Sequence, residues 1–200
     1  MQSKSNFYTT KVIKRLLFLF SVLFVASCST IPTSSVSPAQ VKEHWQFNGK
    51  FAIKTPDETQ AAKINWQQIN QQYDINLYTT FGITVMKIKG NDNYVEITTD
   101  GAPVVGQSAE QLIWQMTRWH IPVNALTFWV KGQVPDGHDL VYDTLGNIRQ
   151  AKIIDSNGET WLLRLGDYQT NPIDTRPTSL RLSKGKLFLK LAISRWQIHK

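Results

Sequence analysis

WQFNGKFAIK, Trp45 to Lys54, fixes the period on which the rest of the chain is read. Trp45, Phe47, Gly49, Phe51 and Ile53 alternate with Gln46, Asn48 and Lys50. Period two places the apolar set on one face of an extended segment, so the stretch predicts a half-buried strand. Ile64 and Trp66 keep the habit, then Tyr73, Ile75 and Leu77, then Ile83, Val85, Met86 and Ile88, and then Tyr94 to Thr98. The intervening segments are too short for crossover helices, and an antiparallel meander is the economical connection.

Between two of these strands the chain reads YTTFGITVM, Tyr78 to Met86. Turns favour Gly, Asn, Asp, Ser and Pro for backbone reasons, and Phe81 beside Gly82 has no such local excuse. A large apolar side chain at a hairpin tip calls for something outside the fold to meet it.

After this run the period changes. Ser108, with Gln111 three positions on, is a capping box that opens a helix, and Leu112, Ile113, Met116 and Trp119 fall on one face of it. A break at His120 to Pro122 precedes a second short helical pattern with Leu126, Trp129 and Val130 on one side and Gly132 as a stop. Strands return at Leu140 to Tyr142 and Ile148 to Ile154, the Asn157-Gly158 pair predicts a type I′ hairpin, and Leu180 to Ile193 predicts a last one turning at Lys184-Gly185. The expected fold is mainly β, of the α+β class, with helices covering one apolar sheet face and leaving either a filled core or a pocket.

The N-terminus carries a separate message. Lys4, Lys11, Lys14 and Arg15, with no acid among them, precede the apolar run Leu16 to Ala26. Its 11 residues are about half of what a membrane-spanning helix needs, so residues 1–27 read as a removable secretory signal. The run ends in VASC, and Cys28 is the chain's only cysteine. In an exported protein it cannot close an internal disulfide, and its place after small residues matches a lipobox, whose cysteine is acylated. Two or more acyl chains hold a protein on a membrane where one is marginal. Ser29 and Thr30 follow, with no aspartate to retain the protein at the inner membrane, so the outer membrane is expected, with lipid attached at Cys28. Residues 28–40, rich in Ser and Pro, read as a tether, and 41–200 as a single domain.

The formal charge of +7 shrinks once the leader's four basic residues go, leaving 18 Lys and Arg against 15 Asp and Glu. Seven of those cations lie in Arg176 to Lys200, which has no acid. The basicity is local, and it reads as the wet face of the last hairpin or as contact with anionic lipid rather than as a nucleic-acid surface. No nucleophile elbow, phosphate loop or metal-ligand spacing occurs, and His44, His120, His138 and His199 are scattered. The expectation is a binding protein, not an enzyme, with no cofactor and no metal. Seven tryptophans, all after Cys28, either fill the core or line an apolar cavity.

WQFNGKFAIK, INWQQ at Ile64 to Gln68, LYTTFGITVMKI at Leu77 to Ile88, SAEQLIWQMTRWHIPVNAL from Ser108 and the closing RWQIHK together resemble the LolB family of outer-membrane lipoprotein receptors. The resemblance spans essentially the whole domain. It implies an unclosed antiparallel β-barrel with a short helical lid over a hydrophobic cavity. It also implies a function: taking lipoproteins from the periplasmic carrier LolA by their acyl chains and inserting them into the inner leaflet of the outer membrane, without nucleotide. By resemblance Trp66, Trp129 and Trp161 sit in or near the cavity, with Leu112 and Met116 of the lid beside them. Phe81, with Gly82, stands at the tip of the membrane-insertion loop, where the family usually has leucine. The partners implied are LolA, the lipoprotein cargo and outer-membrane phospholipid, with the protein itself a monomer. Alternatives are a lipoprotein that holds another lipid or glycolipid, and a structural envelope scaffold with a filled core.

Overall fold

The computed structural model describes residues 43–155, 158–170 and 175–199. The leader, Cys28, the tether and Asn157 lie outside the described residues. The alternation that opens at Trp45 becomes strand β1 (His44–Lys54), followed by β2 (Thr59–Ile69), β3 (Gln72–Tyr78), β4 (Thr84–Gly90), β5 (Val95–Thr98) and β6 (Val104–Gly106). Helices α1 (Ala109–Thr117) and α2 (Val123–Trp129) come next. Strands then resume as β7 (His138–Tyr142), β8 (Ile148–Ile154), β9 (Thr160–Gly166), the short β10 (Gln169–Thr170) and β11 (Thr175–Arg176), β12 (Ser179–Lys184) and β13 (Leu187–His199).

Eleven of these strands form one antiparallel sheet in the order β6-β5-β4-β3-β2-β1-β13-β12-β9-β8-β7. Consecutive strands on each side pair as neighbours, and the two halves are joined by β1 against β13, the most distant pairing in sequence. Among the described residues the terminal strands β6 and β7 pair with no strand on their other side, so the barrel is not closed. This agrees with the mainly β, lidded, unclosed architecture expected above. The unit Val41–Lys200 contains the sheet, both helices and the core.

The inward face carries Trp45, Phe47, Ile53, Ile64, Trp66, Ile75, Leu163, Leu180, Leu182 and Leu189, all buried. Trp45, Phe47, Trp66 and Trp196 form one aromatic cluster across three adjacent strands, with ring centroids 5.1–6.0 Å apart. Trp196 reaches this face because a bulge between Asn48 and Gly49 shifts the β1–β13 register. At Gly49 the backbones approach so closely that a Cβ would stand 2.4 Å from the Ala192 carbonyl oxygen. Gly49→Ala is therefore expected to destabilise the domain by roughly 1–3 kcal/mol, since backbone has no rotamer with which to yield. Urea denaturation checks this, and an unchanged midpoint would mean that the bulge relaxes freely.

Ser108 caps α1: its Oγ accepts the Gln111 N–H at 3.3 Å. Leu112 and Ile113 are buried as the helical face predicts, whereas Met116, on the same face, is exposed at the last turn. Arg118 ends the helix with φ 63°, and its N–H donates to the Trp114 carbonyl. The expected type I′ turn at Asn157-Gly158 falls partly outside the described residues. At its base the Asp155 N–H donates to Glu159 O and the Gly158 N–H to Asp155 O. The Asp155 carboxylate accepts both the Glu159 N–H and the Trp161 indole N–H. The last hairpin turns through Gly185 and Lys186, between Lys184 and Leu187.

Candidate functional site

Following the pairing registers across the sheet separates its loops into two rims. Lys54–Thr59, the 79–83 loop, Ile154–Thr160 and Lys184–Leu187 lie along one; Asn70, the 91–94 turn and the 143–147 loop lie along the other. The aromatic cluster of Trp45, Phe47, Trp66 and Trp196 fills the interior toward the second rim, because Trp45 pairs with Ile198 and Gln68 near that end. Toward the first rim the interior is not filled. A cavity of about 130 Å³ remains there, with an almost wholly apolar wall.

Phe51 and Ile53 of β1, Ile64 and Trp66 of β2, Leu77 of β3, and Met86 and Ile88 of β4 line it. Leu189 and Leu191 of β13 complete the sheet side, and Ile113, Trp119, Ile121, Val123 and Leu126 form the cover from α1, α2 and the segment between them. Sheet residues reach it by period two and lid residues by helical spacing. Most of this wall was legible as apolar inward positions but not as a cavity, since an alternating pattern looks the same whether its face is packed or hollow. Gln60, Ala61 and Ala62 at the start of β2 and Val85 at the start of β4 carry the lining to the first rim.

Trp66 lies between cavity and cluster. Its ring meets Trp45 and Phe47 at 5.8 and 5.7 Å, and its indole N–H donates to Gln68 Oε1, whose amide in turn donates to the Asn70 carbonyl. The other expected site residues are distributed differently. Trp129 and Leu112 are buried but outside the cavity lining, and Met116 is exposed. Trp161 is buried toward the same rim, also outside the lining, and is fixed by its bond to Asp155 and by the Lys184 ammonium 4.6 Å from its ring centre. Trp66 is the one cavity residue named from sequence that the structure puts in the wall; Ile113 and Leu126 stand there in place of Leu112 and Trp129.

The loop between β3 and β4 projects from the cavity's rim. The Thr79 N–H donates to Ile83 O at 2.8 Å and the Gly82 N–H to Thr79 O at 3.1 Å, while Thr79 Oγ1 accepts the Ile83 N–H. Gly82 has φ +88°, the left-handed conformation this three-residue loop demands, and it leaves Phe81 at the apex. Phe81 is 92% exposed, and Ile83 and Val85 beside it are exposed as well. Val85 also lines the cavity, so exposed apolar side chains stand at alternate positions 85, 83 and 81 from the cavity wall to the tip. The 143–147 loop has the same bonding and an equally bare Leu145, 84% exposed, but on the opposite rim and away from the cavity wall. Sequence reading did not single Leu145 out, and the Thr-Leu-Gly that parallels Thr-Phe-Gly is the signal that could have found it.

One carboxyl group sits in the lid, that of Glu110 on α1. Burial pushes the Glu110 carboxyl above its ordinary value of 4.5, opposed in part by the Asn124 N–H that bonds it. The protonated acid thus suits the fold better, so Glu110's own contribution to stability is full at low pH and is lost as pH rises through the ordinary carboxyl range and beyond. Glu110→Gln is expected to raise the thermal midpoint at neutral pH and to match the parent near pH 4, as calorimetry at both pH values would show. Equal midpoints at neutral pH would refute this.

Among the described residues no helix is long and apolar enough to cross a membrane, and no group of three or more His, Cys, Asp and Glu is placed to hold a metal. The family described as outer membrane lipoprotein LolB has a sequence model that matches residues 43–196. An outer-membrane lipoprotein LolB from Shewanella baltica strain OS155 is 30% identical over 198 residues, covering 94% of this chain and 91% of that one. Another, from Shewanella sp. strain MR-7, is 29% identical over 205 residues with the same coverage. A crystal structure of a LolA superfamily protein from Nitrosomonas europaea shares the fold at a TM-score of 0.50 and 12% identity, covering 80% of this chain and 88% of that chain. The match runs from the residue before β1 almost to the end of β13, and the chain belongs to the LolB family of outer-membrane lipoproteins.

Proposed function

We propose that this outer-membrane lipoprotein of the localisation pathway receives lipoproteins from the soluble carrier LolA by taking their acyl chains into the cavity beneath α1 and α2, and then releases them into the outer membrane along the Phe81 loop. The observation that carries the reading is the series of exposed apolar side chains, Val85, Ile83 and Phe81, that leads from the cavity wall to the loop tip. Acyl chains cannot cross periplasmic water bare, because each exposed methylene costs about 0.8 kcal/mol. A cavity that hides them better than the carrier draws them forward, and a bilayer that hides them better still draws them out. No bond is made or broken, and no energy source beyond this gradient is needed.

At about 130 Å³ the cavity has room for about four waters at roughly 30 Å³ each, less than one long acyl chain. Receipt therefore widens it. The lid is the element suited to move: α1 is nine residues and α2 seven, joined through the non-helical Arg118 to Pro122 segment. The lipid-anchored Cys28 would keep the domain at the membrane, and the domain acts as a monomer.

The test is depletion of this protein in cells followed by fractionation. Other lipoproteins are expected to accumulate on the soluble carrier; their normal arrival at the outer membrane would overturn the proposal. Uptake of a fluorescent fatty acid by the purified domain separates it from a scaffold with a filled core, which would take up none.

A further inference from the structure

The outward face of the sheet beside the Phe81 loop carries a row of cations. Lys50 on β1 stands directly opposite Lys63 on β2. Arg181 on β12 stands opposite Lys190 on β13 on one side and Arg164 on β9 on the other. Lys50 faces Ala192, two residues along from Lys190, and this diagonal neighbour relation joins the two groups into one row across five strands.

Like charges directly opposite each other on a sheet are destabilising. Five lysines outside the row are ion-paired: Lys87 and Lys89 with Asp74, Lys131 with Glu43, Lys152 with Asp139, and Lys184 with Asp155 and Glu159. Among the described residues no carboxylate pairs with Lys50, Lys63, Lys190, Arg181 or Arg164. The amide oxygen of Gln150 is the polar side-chain partner of Arg164.

One hydrogen bond ties the row to the apolar tip, and a second exposed aromatic side chain shares its face. Lys63 Nζ donates to the Thr80 carbonyl at 3.2 Å, which leans the base of the Phe81 loop onto this face. Phe188, half-exposed on the same face, lies two residues from Lys190 and opposite Lys54, near the same rim. At about 3.4 Å per residue, Phe188 and Lys190 stand within roughly 10 Å of that rim. Cations flanking exposed aromatic side chains make up the pattern of a surface that rests in a membrane interface, the rings at head-group level and the charges on phosphate.

We propose that this outward face binds the head groups of anionic phospholipid and sets the domain on the membrane with the Phe81 loop directed into it. The proposal rests on the reading of that loop as the membrane contact. It gives the unpaired row an occupant of matching charge, and it gives the cavity rim a defined orientation toward the bilayer.

The test uses the Val41–Lys200 unit, so that no lipid anchor contributes, with vesicles of phosphatidylcholine alone or with about one third phosphatidylglycerol. Co-sedimentation at low salt is expected to be about tenfold stronger with the anionic vesicles, and the preference should vanish at about 0.5 M salt, where charge is screened within a few ångströms. The Arg164→Gln, Arg181→Gln, Lys190→Gln triple variant should lose the preference while taking up a fluorescent fatty acid as before. The Arg164→Lys, Arg181→Lys double variant should keep it. A parent domain without preference, a glutamine triple variant that retains it, or a lysine variant that loses it would each overturn the proposal. Salt-sensitive capture of the carrier without a vesicle preference would assign the row to an acidic protein surface instead, and would overturn it too. Phe81→Gln distinguishes the two layers: it removes the apolar contact without adding charge and should weaken binding to both vesicle types by the same factor. If it changes neither, the loop reading fails while the measured charge preference stands on its own.

Discussion

Phe81→Glu is expected to leave acyl-chain receipt intact and to reduce delivery of cargo into vesicles by at least about tenfold. Phe81 makes no contribution to the cavity wall, and at 92% exposure it has almost no packing to lose. The loop's backbone does not depend on the ring either, since its bonds run among Thr79, Gly82 and Ile83. What the ring can supply is transfer from water into the interface, worth about 1.5–3 kcal/mol when fully buried, and a carboxylate reverses the sign of that term. Fatty-acid uptake and vesicle insertion of a lipoprotein, measured separately, decide the matter. If uptake falls together with insertion, the division of labour between cavity and loop is wrong.

Trp66→Ala should be the most damaging single change to the fold, at about 3–5 kcal/mol. The ring is buried against Trp45 and Phe47, and its removal leaves Gln68 Oε1 without its buried donor. Unlike Phe81, it stands in the cavity wall. The variant should therefore also alter acyl-chain uptake, whereas Trp66→Phe should recover most of the stability. Chemical denaturation beside probe titration gives both readouts. A Trp66→Ala protein as stable as its parent would mean that the aromatic cluster tolerates a hole without cost.

Several of the features behind these results were visible in the residues alone. The alternation from Trp45, the Ser108 cap and the order of strands and helices all follow from spacing, because periods of two and of about 3.6 are imposed by backbone geometry whatever the partner. Phe81 could be singled out because turn chemistry is local and the residue breaks its rule. The wall of the cavity was less legible. Leu112 and Ile113 read alike on one helical face, yet only Ile113 lines the cavity, and Trp129 and Leu126 divide in the same way. A helix face is broad, and which of its residues meets a void depends on how the lid crosses the sheet.

By itself the sequence determined an antiparallel β domain with two covering helices and an apolar hairpin tip, and it raised the expectation of export and a lipid anchor at Cys28. Local spacing and turn chemistry are enough for each of those. Only the tertiary structure decided that β1 joins β13, that the Asn48/Gly49 bulge turns Trp196 inward to fill one end while the other stays hollow, and that five cations from five strands form one row beside Phe81. These depend on register between segments as far apart as Asn48 and Arg195. Register is set by the packing of whole faces against one another, which no short stretch of sequence contains.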